Sequence, residues 1–228
     1  MTLPSDDARN APGPGAPPSR RTRIRRIAEN ARYDRATVQA IVDAALMCHV
    51  AFFDAEGVHC IPTGCWRIED HLYIHGSNGS RMLKILQSAT DAVVSITHID
   101  GLVLARSAFN HTMNYRSVVI YGPFELVPEA EKGPSLAAFM EHLAPGRQTQ
   151  TRPGDATELA ATTVLRISLA ESAAKLRTGP PEDDAADMGR PVWAGVLPLV
   201  LTPQPAQRDP ACNEASPEHA VRWEQRRF

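Results

Sequence analysis

Hydrophobic and polar positions follow two different periods along this chain. In DRATVQAIVDAALM, residues Val38, Ile41, Val42, Ala45 and Leu46 recur at helical spacing, and Asp34 stands where an N-cap acceptor belongs. HVAFFDAEGVHCIPTGCWRI instead alternates with period two on either side of Asp54-Ala55-Glu56-Gly57, which predicts two strands around a turn. HLYIHG continues the meander after Glu69-Asp70. DAVVSITHI, SVVIYGPFELV, TTVLRISL and PVWAGVLPLVL read as further short strands. A helical period returns at Met82, Leu83, Ile85 and Leu86, and from Pro128 to Leu143 with Pro134 inside it. Strand, helix and strand do not repeat as a unit, so a doubly wound sheet is not expected. The pattern predicts a mainly β, α+β body: antiparallel strands in a barrel or sandwich with about three helices.

Composition sets the limits of that body. Residues 1–24 are rich in proline and polar side chains and read as a disordered N-terminal tail. Residues 203–228 read as a loose C-terminal extension, which leaves 25–202 as the folded domain. Hydrophobic residues make up 43% of the chain, enough to build a core there. The formal net charge of −2 argues against a general nucleic-acid binder. Basic residues gather near the ends: Arg20, Arg21, Arg23, Arg25 and Arg26 at one, Arg222, Arg226 and Arg227 at the other. Solvated charge is the plain reading of both clusters. No stretch has the length and apolarity of a membrane helix, and the opening residues do not form an export signal. Cys48, Cys60, Cys65 and Cys212 contain no C-x-x-C pair, so they are expected as reduced thiols in the cytoplasm. His49, His59 and His71 lie near three of those cysteines, but at no ordinary zinc spacing, and no metal site is expected.

The segment YIHGSNGSRMLKIL carries the candidate chemistry. It passes from strand to helix through Gly76, Ser77, Asn78, Gly79 and Ser80, and Arg81 follows. A helix start offers unpaired N–H groups, and glycines let backbone approach an anion closely. Hydroxyls and a guanidinium add donors, so the segment is a candidate phosphate cradle. The plainer reading is an amphipathic helix capped by Ser77 or Asn78.

HVAFFDAEGVHCIPTGCWRIEDHLYIHGSNGSRM, MNYRSVVIYGPFELV, TRPGDATELAATTVLRISLAESAAKLR and PVWAGVLPL occur together and in this order. In that order the chain resembles the pyridoxamine 5′-phosphate oxidase-like flavin-binding split-barrel superfamily, and within it the nitroimidazole-resistance (Nim-type) branch. The resemblance implies a six-stranded antiparallel split β-barrel with Greek-key topology and a few peripheral helices. It also implies a homodimer with FMN in the groove between subunits. By motif, backbone at Pro62, Thr63, Gly64 and Cys65 is expected along the flavin ring. Gly76, Ser80 and Arg81 are expected at the phosphate, with Met82 where the oxidases have a lysine. Arg116 and Ser117 fall in a cofactor-contacting strand, and Trp193 near the flavin from across the dimer. Val196 and Leu197 replace an aromatic residue and an arginine of the vitamin B6 oxidases, which argues against pyridoxamine phosphate as substrate. His75 matches a histidine of the Nim-type branch and is the candidate proton donor or acceptor beside the flavin.

The expected activity is flavin-dependent reduction of a small oxidised substrate, such as a nitro-aromatic. NAD(P)H would be a transient electron donor, since no strand leads into Gly-x-Gly-x-x-Gly. Two other readings stay open: a haem-binding or haem-degrading split barrel with His75 as iron ligand, and a non-catalytic flavin carrier or sensor.

Overall fold

The computed structural model describes residues 15–88, 91–217 and 223. Its first helix, α1 (Arg35–Asp43), begins where Asp34 accepts a hydrogen bond from the Thr37 amide at 2.8 Å. Val38, Ile41 and Val42 form its buried face. Each such side chain contributes about 1.5–3 kcal/mol on leaving water. α2 (Arg81–Leu86) is capped by Ser80, whose hydroxyl accepts from the Leu83 amide. The cap is therefore neither Ser77 nor Asn78. Met82, Leu83 and Leu86 from α2 join the α1 residues in the barrel interior. α3 is Glu129–Leu143, and α4 (Ala156–Ala160) opens on a capping box between Asp155 and Glu158.

Among the described residues the strands number ten rather than six. They are β1 (Ala31–Arg32), β2 (Met47–Asp54), β3 (Gly57–Ile68), β4 (His71–Ser77), β5 (Asp91–Leu104), β6 (Thr112–Pro123), β7 (Glu125–Leu126), β8 (Thr162–Ser168), β9 (Ser172–Arg177) and β10 (Gly195–Pro198). They form one antiparallel sheet in the order β1-β9-β6-β5-β2-β3-β4-β8-β7, with β10 beside β5. The sheet curls into a half-barrel. Inward side chains such as Cys48, Val50, Leu72, Ile74, Val94, Ile120 and Ile167 make one core. A second, smaller cluster lies outside the curl, where Leu136 and Phe139 of α3 pack against Trp66, Tyr73 and Val164. No helix among the described residues is long and apolar enough to cross a membrane.

Ten residues expected in the N-terminal tail lie against this body. Arg21 pairs with Glu171 and Asp91, Thr22 is buried, and the Ile24 amide donates to the Tyr33 hydroxyl at 2.9 Å. Residues 1–14 lie outside the described region. In the C-terminal extension, the Trp223 indole donates to the Pro145 carbonyl at 2.9 Å.

Candidate functional site

The barrel is split along one edge of β5. Residues 93–95 of that edge pair with β2, and residues 101–104 pair with β10. β10 comes close at Gly101, where an added Cβ would meet the Leu197 carbonyl oxygen at 3.0 Å. Between the two paired stretches opens a cleft of about 390 Å³ lined by Ala45, Met47, Thr97, Ile99 and Leu201 among others.

Strand alternation decides which expected residues can meet at this cleft. Cys48 and Cys65 are inward and fully buried. A hydrogen bond with Cys65, then burial, holds the Cys48 thiol far above the ordinary range and protonated. The Cys65 thiol is thus turned away from any outer ligand. Thr63 pairs with Cys48 and takes the same side, and Met82 is buried in the interior. Arg116 also lies on the inward side, held by Asp100 through bonds of 3.0–3.1 Å. Pro62 and Gly64 face outward, opposite His49 and Met47. Ser117 faces outward too, between Thr97 of β5 and Lys175 of β9, and its hydroxyl donates to the Lys175 carbonyl at 3.2 Å. So Pro62, Gly64, His75 and Ser117 share the outer face, whereas Thr63, Cys65, Met82 and Arg116 do not.

His75 lies on β4 one step beyond the Cys65–Ile74 pair, outward and beneath α3. Its ring centroid is 4.7 Å from Phe139 and 5.6 Å from Trp66, and Phe139 is 4.9 Å from Trp66. The buried Nδ1 of His75 has no hydrogen-bond partner among the described residues, and neither has the Trp66 indole nitrogen. Burial lowers the pKa of His75 below the ordinary histidine value, so the ring is neutral at pH 7. Trp66 and Phe139 were not expected at the site. Alternation from Gly64 puts Trp66 on the face of His75, but Phe139 arrives from a distant helix and leaves no local signal.

Arg81 is half-exposed and already engaged. Its guanidinium donates to Glu56 at 2.6 Å and lies 3.7 Å from Asp54 and 3.2 Å from Nδ1 of His59. The hydrogen bond from His59, with help from the Glu56 amide, holds the Asp54 carboxyl below its usual range. Asp54, Glu56 and His59 form the one cluster of potential metal ligands found among the described residues. The Arg81 charge on the two carboxylates opposes a cation there. The Glu56 side chain is exposed and makes this contact alone among the described residues. Gly76 lies close to Leu83 of α2, where an added Cβ would come within 3.0 Å of the leucine tip. Trp193 precedes β10 at the Leu104 end of β5 and is 69% exposed within a single chain.

Residues 34–176 match the family model described as pyridoxamine 5′-phosphate oxidase. Among solved structures, the flavocytochrome Anf3 from Azotobacter vinelandii is 40% identical, with 91% of this chain and 98% of that one covered and a TM-score of 0.87. The FAD and haem binding protein from Mycobacterium smegmatis is 31% identical, over 86% and 98% of the two chains, with a TM-score of 0.83. A nitroimidazole resistance protein homologue from Bacteroides thetaiotaomicron shares the fold at 19% identity, over 64% and 85%, with a TM-score of 0.54. No curated protein matches.

Proposed function

Because the chain belongs to the pyridoxamine 5′-phosphate oxidase family, we propose that it is a flavoprotein that also carries haem and passes electrons from an external donor to a small oxidised substrate. Two relatives that cover nearly the whole chain support this: one is named a flavocytochrome, the other a protein binding FAD and haem. The observation that carries it is His75. A neutral, half-buried imidazole without a hydrogen-bond partner, held between Trp66 and Phe139, is in the protonation state that ligates iron. A haem held on this face would have its iron taken by His75. Haem brings one-electron and oxygen chemistry, and the flavin accepts electrons in ones or twos.

The chain's own part is to hold and orient. Pro62, Gly64 and Ser117 offer the outer-face surface for the flavin ring, and Ser80 with Arg81 takes the phosphate once Glu56 gives way. We read the flavin as FAD in preference to FMN. Asn78, Lys84 and Gln87, near Arg81 in sequence, line a separate pocket of about 540 Å³, of a size for a second phosphate and a nucleoside. A homodimer completes the site. Away from α3, the outer face of β2, β3 and β5 exposes Met47, Phe53, Val58 and Ile99, a patch that a second copy would cover. A reducing, cytoplasmic setting suits the buried Cys48 and Cys65 thiols.

The test is the absorption spectrum. Protein purified from cells supplied with a haem precursor should show both a flavin spectrum and a Soret band. His75→Ala should lose the Soret band and keep the flavin. Wild type without a Soret band, or His75→Ala with an unaltered one, refutes the reading.

A further inference from the structure

The arginine-rich segment near the start of the chain is absorbed neither by the barrel nor by the cofactor site. From residue 20 to residue 26 it holds five arginines and no acid, in a chain of net charge −2. A run of like charge is ordinarily a solvated tail. This one is pinned. Arg21 is its anchor: the guanidinium grips both oxygens of Glu171 at 2.6 and 2.9 Å, reaches Asp91, and lies 5.1 Å over the Tyr121 ring. The Thr22 side chain is buried and donates to the Ser19 carbonyl. The Ile24 amide is held by Tyr33, and the Arg26 carbonyl accepts from the Lys175 ammonium at 3.0 Å. Next comes Ile27, a β-branched residue in the left-handed region at φ 53°, ψ 59°, a conformation that costs free energy and is kept only by its surroundings.

With Arg21 spent on anchoring, Arg20, Arg23, Arg25 and Arg26 are exposed and make no ion pair or side-chain hydrogen bond among the described residues. Four guanidinium groups are thereby displayed on a fixed backbone. Their mutual repulsion is relieved by an anionic partner, and their ordering entropy has in part been spent already. The patch also has a definite place. Lys175, which holds it, pairs with Ser117, and Ser117 pairs with Thr97 at the cleft. Two strand spacings, about 10 Å, separate Lys175 from that cleft.

We propose that this segment is the docking surface for a small acidic electron-carrier protein that supplies the electrons. The proposal rests on the redox reading given above. Each docked one-electron carrier gives up one electron. Two dockings reduce the flavin fully, with two protons drawn from solvent. A bilayer is disfavoured because Ile27 is the one large apolar side chain exposed between residues 15 and 30, too little to seat in lipid. Nucleic acid is disfavoured because no aromatic residue interleaves the arginines.

The experiment is stopped-flow reduction of the flavin-loaded protein by a photoreduced, acidic plant-type [2Fe–2S] ferredoxin. The variant is the triple Arg23→Gln, Arg25→Gln, Arg26→Gln, which leaves the anchor Arg21 in place. The wild-type bimolecular rate constant should fall about tenfold or more between roughly 0.02 and 0.4 M salt. The triple variant should be about tenfold slower at low salt and nearly salt-independent. Dithionite should reduce both proteins equally, and their melting temperatures should agree. An unchanged low-salt rate in the triple variant overturns the proposal. So does a result in which the variant loses binding to anionic vesicles or duplex DNA, or gains in KM for NADPH, while ferredoxin reduction is untouched. If dithionite reduces neither protein, the redox reading itself has failed, and this proposal with it.

Discussion

Gly76 offers a quantitative test of what holds the loop before α2 in place. A Cβ built on Gly76 would lie 3.0 Å from Cδ1 of Leu83 and 4.0 Å from its Cγ. Leu83 is buried in the barrel core and caps nothing flexible. Its tip must therefore shift by a few tenths of an ångström, or α2 must move and take Ser80 and Arg81 with it. Overpacking of this kind costs about 1–3 kcal/mol, and a contact this marginal belongs at the lower end, about 1–1.5 kcal/mol. For a chain of this length that is a fall in melting temperature of about 2–6 °C. Leu83→Ala alone should cost about 2–5 kcal/mol by leaving a cavity. In that background the new methyl meets open space, so Gly76→Ala should be nearly neutral. Urea unfolding of the flavin-free protein, run as a double-mutant cycle, should give a coupling of about 1 kcal/mol. Additive effects would refute the steric account. If Gly76→Ala leaves stability unchanged and still abolishes flavin binding, the glycine serves close approach of the ligand to backbone, as the sequence pattern first suggested.

Two further outcomes follow from the same region. Arg81→Ala should weaken binding of flavin nucleotides about tenfold to a hundredfold while riboflavin binds both forms alike, and Glu56→Gln, by freeing Arg81, should strengthen nucleotide binding; fluorescence titration measures both. For pH, burial lowers the His75 pKa in the folded state, so the unfolded chain takes up a proton that the folded one does not. Stability of the cofactor-free protein should thus be level above about pH 6.5 and decline as pH falls through that value, until the folded-state pKa is also passed. Urea midpoints between about pH 7.5 and 5 should show this decline in wild type and a shallower one in His75→Gln.

Much of the framework was legible in local patterns. Asp34 caps α1 as its side chain suggested, and the β2–β3 hairpin turns at residues 54–57. What escaped is short or interrupted. β1 and β7 have two residues each, too few for any period to register. DAVVSITHI ends at Ile99, yet the strand passes through a bulge there and runs on to Leu104. α4 has five residues, and its Asp155–Glu158 capping box is its one local mark in the sequence. The site was less legible than the fold. Motif matching groups Gly64 with Cys65 and Arg116 with Ser117, although neighbours on a strand face opposite ways. The aromatic enclosure of His75 depends on Phe139, far along the chain, and only the folded topology brings it there.

The interruption along β5 has a consequence for how such a chain tolerates change. Where β2 leaves the strand after the His49–Ser95 pair and β10 has not yet joined at Gly101, a short run of main chain faces the cleft with no strand on that edge among the described residues. Main-chain amides and carbonyls are identical whatever side chains surround them. A visitor recognised through such an edge depends on the path of the backbone, and hardly on residue identity. Side chains around the opening are then free to drift, and with them the choice of what is bound, while the opening persists. A lineage built on this scaffold can exchange its guests without rebuilding the doorway.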